Sequence, residues 1–343
     1  MTKITILSML LGCMSFLNIS AQDYTKFVDP FIGTEGMGHT FPGACVPFGI
    51  VQLSPDTDTI PHNLNGVYQK DVYAYCAGYQ HKDPTIVGFS HTHLSGTGHS
   101  DLGDILVMPA MGKHQLNPGR EDFPDEGYRS RVDHSTESAA PGYYEVTLKD
   151  HNIKACLTAT PRVGIHKYIF PKEEGGHLIL DLNHGIYNYD GKVLWANLRV
   201  ENDTLITGYR ITNGWARTNY TYFAMSFSKP VVHYGCEEKA KVNYRGGYGK
   251  FNMKENFPDI GGRKIVAYFD FDPAVSEELE VKVALSGVST DGALKNLRAE
   301  ASGYSFDRLA ARAGETWNKE LSVIEANGTD DQLAMLYTSL YHT

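Results

Sequence analysis

The chain reads as a mainly β protein, a large antiparallel β-sandwich that gives way to helices toward its C-terminus, and three observations carry this. From Tyr143 to about Ser289, short β-type runs are separated by Gly, Asn, Asp and Pro at the spacing of a sandwich. Several of these runs alternate apolar with polar residues, so one face packs inward and the other meets water. Beyond Asp291 the apolar period lengthens from two to three and four, which marks amphipathic helix.

The strand runs, in order, are Tyr144 to Leu148, Val163 to Phe170, His177 to Leu182, Leu205 to Ile211, Tyr220 to Phe227, Ile265 to Phe271 and Leu279 to Leu285. Leu279-Glu280-Val281-Lys282-Val283 shows the alternation most plainly. Phe306, Leu309, Ala310, Ala313 and Trp317 then form the stripe of a linker helix. Leu333, Leu336, Tyr337, Leu340 and Tyr341 form a second stripe, with Asp330 as its expected cap. That last helix reaches Thr343 with no segment in the sequence assigned to cover its stripe, and docking on the sandwich is the alternative arrangement. No internal repeat or low-complexity tract interrupts this order.

With 343 residues the chain exceeds the usual single domain, and one large domain plus a remnant fits its length. A hydrophobic content of 42% with 21% charged residues permits a sizeable core. The formal charge of -9 and the lack of clustered Lys and Arg exclude nucleic acid as a partner. Lys3, the apolar run Ile4 to Leu17 and the small residues Ser20 and Ala21 read as an export signal cleaved after Ala21, and that run is too short to span a bilayer. Leu10-Leu11-Gly12-Cys13 loosely resembles a lipobox, so a lipid anchor through Cys13 is a second expectation for a periplasmic or extracellular protein. Cys45, Cys76, Cys156 and Cys236 form no C-x-x-C pair; export permits disulfides of unknown pairing, and buried free thiols are the plainer expectation.

Two stretches concentrate chemistry. The first runs from Val28 through Asp29-Pro30-Phe31-Ile32-Gly33-Thr34 and Gly38-His39-Thr40-Phe41-Pro42-Gly43-Ala44 to Pro47-Phe48-Gly49 and Asp56. Its Gly and Pro residues force turns and allow close backbone approach to a ligand, yet Gly33, Gly36 and Gly38 lack the setting of a phosphate cradle. The second is Gly88-Phe89-Ser90-His91-Thr92-His93-Leu94-Ser95-Gly96-Thr97-Gly98-His99, followed by Asp101 and Asp104. If extended, it places His91 and His93 on one face. Such imidazoles with a carboxylate suit zinc or iron, line a sugar pocket, or serve as hydrogen-bonded structural histidines, and the residues alone leave all three open.

Together these stretches resemble the start of glycoside hydrolase family 92, which carries very similar D-P-F-I-G-T, G-H-T-x-P-G-A, P-F-G and G-F-S-H-T-H-L-S-G-T-G blocks. The likeness includes Gly78-Tyr79, Gly103-Asp104-Ile105-Leu106 and Met108-Pro109, extends from about Asp23 to the end, and is densest before Pro109. Leu336-Tyr337-Thr338-Ser339-Leu340-Tyr341-His342 looks like the first helix of the family's second domain. The resemblance implies a signal peptide at 1–21, a β-sandwich at 22–290, linker helices at 291–325 and the start of an (α/α)6 barrel at 326–343.

Family members are calcium-dependent, inverting exo-α-mannosidases whose acid, base and most calcium ligands belong to the barrel. The resemblance therefore implies a non-catalytic part that stops before them, with no catalytic residue and no metal ligand assigned, and no calcium expected in this part alone. Asp29, Asp56, Asp101 and Asp104 read as caps and turn closures. Residues carried over as pocket wall are Gly33, Thr34, His39, His91, His93, Thr97 and His99, with Tyr79 as an aromatic platform. The implied partners are a mannose-containing glycan, such as an N-glycan, and a helical domain supplied on a separate chain. Two other classes compete: a free-standing carbohydrate-binding protein, to which 21 Tyr residues lend stacking surface, and a metalloprotein using His91 and His93.

Overall fold

A computed structural model of the chain describes residues 22–57, 63–99, 101–172, 175–238, 258–274 and 277–343. The export signal at 1–21 and the anchor at Cys13 lie outside these residues. Among the described residues no helix is long and apolar enough to cross a membrane.

Two antiparallel sheets form the body. One has seven strands in the order Ala44–Cys45, Gln52–Asp56, Gly88–Ser90, Leu106–Met111, Gly176–Asp181, Ile265–Phe271 and Val231–Glu238. The other has nine, in the order Asp259–Gly262, Val193–Asn202, Leu205–Thr212, Asn219–Phe227, Glu278–Ser286, Val163–Ile169, Ile153–Ala159, Tyr143–Leu148 and Ser138–Ala140. Residues of both sheets share one core, in which Leu178, Leu180 and Phe269 meet Phe223, Val281 and Val283. Four of the seven strands in the first sheet come from the motif-rich segment before Pro124, so the motifs grow directly out of strand ends.

Alternation holds in Glu278–Ser286, where Leu279, Val281, Val283 and Leu285 all enter that core. Its opposite face, which the sequence predicts to meet water, is partly covered by two helices. Lys282 Nζ donates to the carbonyls of Ala301 and Tyr304, and Glu280 accepts from the Phe306 amide at 2.9 Å. Polar residues there tie the helix ends to the sheet.

The linker helices expected after Asp291 are α1 (Thr290–Glu300), whose own stripe is not singled out from the sequence, and α2 (Phe306–Leu321). Gly303 breaks them with a left-handed φ of 75°, which glycine adopts without the steric cost of a Cβ. The predicted stripe Phe306, Leu309, Ala313 and Trp317 is buried. A third helix, α3 (Asp330–His342), is capped one residue earlier than expected: Thr329 and Gln332 form a reciprocal capping box, and Asp330 is the first helical residue.

The α3 stripe has partners after all. Tyr337 and Tyr341 are buried with Tyr24, Val28, Phe41, Cys45 and Trp317, so the helix docks where the described chain begins. The Tyr24 amide donates to Asn318 Oδ1 at 2.7 Å, and Trp317 Nε1 donates to the Cys45 carbonyl at 2.7 Å. Sequence spacing cannot show that contact, because its members lie almost 300 residues apart. Among the described residues, Cys45, Cys76, Cys156 and Cys236 are buried thiols that form no disulfide with one another.

Candidate functional site

His91 and His93 do not share a face. The strand Gly88–Ser90 stops before them, and the His91 amide bonds back to the Asp104 carbonyl at 2.9 Å, so the chain turns and the two rings part. His91 enters the space between the sheets, whereas His93 meets the end of Gln52–Asp56.

His91 Nδ1 lies 2.6 Å from the Ile105 carbonyl, its Nε2 lies 3.0 Å from Nε2 of His166, and His166 Nδ1 lies 2.7 Å from the Tyr168 hydroxyl. Because a carbonyl only accepts, His91 Nδ1 donates to it; His166 then donates from Nε2 to His91, and Tyr168 donates to His166. Both rings are completely buried and neutral, as burial pushes His91 down to about 4 and His166 well below the usual histidine range. Ile105 holds φ at 57°, a rare conformation for a β-branched residue, and thereby aims its carbonyl at His91.

Asp56 joins two other histidines, with Oδ1 2.7 Å from His93 Nε2 and Oδ2 2.8 Å from His184 Nε2. Burial alone would raise this carboxyl, but the two imidazoles outweigh it and hold Asp56 well below the usual carboxylate range. His93 also points Nδ1 at the Gln52 carbonyl, 2.8 Å away, so both of its ring nitrogens face acceptors. Gly78 is required here: a Cβ would stand 2.3 Å from Asp56 Oδ1, and its φ is 83°. Behind them, Arg210 Nε donates to Asp104 Oδ1 at 2.6 Å in a completely buried pair, and Thr92 donates to Oδ2.

The remaining predicted residues divide between scaffold and rim. Gly33 makes a left-handed turn at φ 86°, and Thr34 is buried with its hydroxyl on the Phe31 carbonyl. Tyr79 is 1% exposed and gives its hydroxyl to Glu137, so it presents no ring face to solvent in this chain. His39 packs edge-on against Tyr73 and accepts the Gly96 amide on its carbonyl, which links the two motif stretches. Thr97 accepts the His99 amide, and His99 stacks on Trp215 with ring centroids 4.3 Å apart.

Trp215 is the residue that sequence reasoning misses. It is 79% exposed, and the Asp101 carboxylate fixes its backbone amide at 2.5 Å. With half-exposed Tyr73 and His99 it forms a rim of aromatic and imidazole faces at one end of the sandwich. A hollow of about 730 Å3 opens beside this rim between Met37 and Tyr68, Lys70, Asp71 and Tyr73. A groove of about 470 Å3 runs between the Phe41–Gly49 loop and helices α2 and α3, with Phe48 95% exposed on its lip.

Among the described residues, ligand atoms of His, Cys, Asp and Glu gather in two groups, His81 with His134 and Glu137, and His114 with His177 and Asp270. Neither includes His91 or His93, whose ring nitrogens are engaged as described. Neither fits calcium, which takes about six to eight oxygen ligands, because each group is mostly imidazole nitrogen.

Residues 27–286 match the glycosyl hydrolase family 92 N-terminal domain, and residues 292–343 match the family's catalytic domain. A family 92 α-mannosidase of Bacteroides thetaiotaomicron, solved in complex with mannoimidazole, is 37% identical with a TM-score of 0.81, covering 94% of this chain and 40% of its own. An inverting family 92 mannosidase of Bacteroides thetaiotaomicron VPI-5482 is 26% identical with a TM-score of 0.73, covering 93% of this chain and 39% of its own. An uncharacterized secreted glycosidase of Arthroderma benhamiae is 25% identical over 336 residues, 90% of this chain and 40% of the relative. The chain thus spans about 40% of the length of the relatives it matches.

Proposed function

Since the chain belongs to glycoside hydrolase family 92, we propose that it supplies the sugar-facing β-domain of a secreted, inverting α-mannosidase acting on mannose-containing glycans, N-glycans among them. The observation that carries this reading is the rim where both motif stretches converge, with Trp215 stacked on His99 and Tyr73 against His39. Exposed aromatic faces beside hydrogen-bonding side chains suit the apolar face and hydroxyl edge of a sugar ring. Export is supported by the secreted relative and by the leader-like N-terminus.

Inverting hydrolysis needs an acid and a base on carboxyls about 6.5–9.5 Å apart. In the matched blocks, Asp29 closes a turn on the Phe31 amide, Asp56 binds two histidines, Asp101 fixes Trp215, and Asp104 pairs with Arg210. These engagements favour a β-domain without its own acid and base, to which the family's helical domain would bring both. Calcium, in this reading, belongs with that helical domain.

A free-standing carbohydrate-binding protein is the second reading, favoured by the exposure of Trp215. One experiment separates them: titrate purified chain with α-mannosides by calorimetry and assay it against an aryl α-mannoside. The expected result is no turnover and no binding tighter than the millimolar range, weakened further by Trp215→Ala. Micromolar binding without turnover favours the second reading, and turnover by the chain alone overturns the first.

A further inference from the structure

We propose that His114, His177 and Asp270 form a zinc-binding site at the end of the sandwich remote from the Trp215 rim. The strand register assembles it. Asp270 pairs directly with His177 on one neighbouring strand and with His233 on the other, so three side chains stand in a row across the seven-stranded sheet. Alternation puts Asp270 on the face opposite Phe269 and Phe271, which enter the core. His114 follows Leu106–Met111 after Gly112 turns the chain at φ 73°, and it lies back over the row, its ring stacked on Tyr268 at 3.8 Å.

One ligand atom from each of His114, His177 and Asp270 lies within 4.8 Å of the others. A tetrahedral zinc with nitrogen and oxygen ligands needs separations of about 3.4 Å, within reach of small side-chain rotations. His177 gives the second, independent sign. It is 3% exposed, and its Nε2 has no hydrogen-bond partner among the described residues. A buried polar atom left unpaired is costly, and one aimed at a half-exposed carboxylate and imidazole is what an unliganded metal donor looks like. By contrast, Glu137 in the other His-rich group is saturated by Tyr79, Tyr144 and His134.

Imidazole-rich donors favour zinc over calcium or magnesium, and an exchangeable fourth position remains for water. His233 Nδ1 sits 3.1 Å from Asp270 Oδ2 while His114 Nε2 sits 2.7 Å from Oδ1, so His233 orients the carboxylate from behind. His233 lies on Val231–Glu238, the edge strand, which the ion would clamp to its neighbours. His177 lies near the start of the strand Gly176–Asp181 and His184 just past its end, so this site and the Asp56 cluster sit at opposite ends of that strand.

The test is zinc titration of the untagged, chelator-treated chain by calorimetry, with cobalt absorption reporting coordination. Wild type is expected to bind one zinc, gain a tetrahedral cobalt spectrum and melt several degrees higher with zinc present. His114→Ala and Asp270→Asn, both on half-exposed groups, should abolish binding without unfolding the chain. His233→Gln should weaken binding by roughly tenfold. Absence of saturable zinc binding by wild type, or binding unchanged in His114→Ala, overturns the proposal.

Discussion

The hydrogen-bond chain Tyr168–His166–His91–Ile105 requires both imidazoles to stay neutral, because the contact between the two Nε2 atoms has room for one proton. His91 titrates near 4 in the fold and near 6.5 unfolded, so its contribution is complete above pH 6.5 and lost as pH falls toward 4, an upper bound on the order of 3 kcal/mol. Asp56, held low by His93 and His184, contributes above the ordinary carboxylate pKa and loses that contribution in more acid solution. Melting temperature is therefore expected to fall between pH 6.5 and 4 and to fall again below; an unchanged value from pH 6.5 down to pH 4 contradicts the assignment. Asp56→Asn should remove about 3–5 kcal/mol at neutral pH, by chemical denaturation, while leaving the loss between pH 6.5 and 4 in place. The sequence marks His91 and His93 as important but not as belonging to separate networks, since His166, His184 and Arg210 arrive from strands far along the chain. Trp215 was hidden for the same reason: Asp101, which fixes it, stands 114 residues earlier.

Strands that alternate and carry no proline were legible from the sequence, as Leu279 to Leu285 was. Gln52–Asp56 and Leu106–Met111 were not, because Pro55 and Pro109 lie within them and proline usually argues against a sheet interior. Val193–Asn202 was hidden by irregularities of register near Trp195 and Asn202, which break its two-residue period. The terminal helix was legible as a helix but not as a docked one. Its capping box predicts a local effect: Thr329→Ala should cost about 1 kcal/mol and speed amide exchange in Leu333 to Tyr337, leaving exchange in the strands unchanged. Uniform acceleration across the sheets would show that α3 is coupled to global opening instead.

Across the whole molecule, Trp317 is the residue that joins the helices to the motif segment, through its bond to Cys45 and its packing on Tyr341. Trp317→Ala should destabilise by about 3–5 kcal/mol. Because its bond to Cys45 spans 272 residues of the chain, most of that loss is expected in faster unfolding, with refolding little changed, in stopped-flow denaturant jumps. An equal slowing of refolding would place Trp317 in the folding nucleus. The bond from the Tyr24 amide to Asn318 closes nearly the full length of the described chain. During synthesis, then, the bond from Tyr24 to α2 waits until nearly 300 residues have followed it. In the export proposed above the same delay applies, so this corner of the fold is among the last to close.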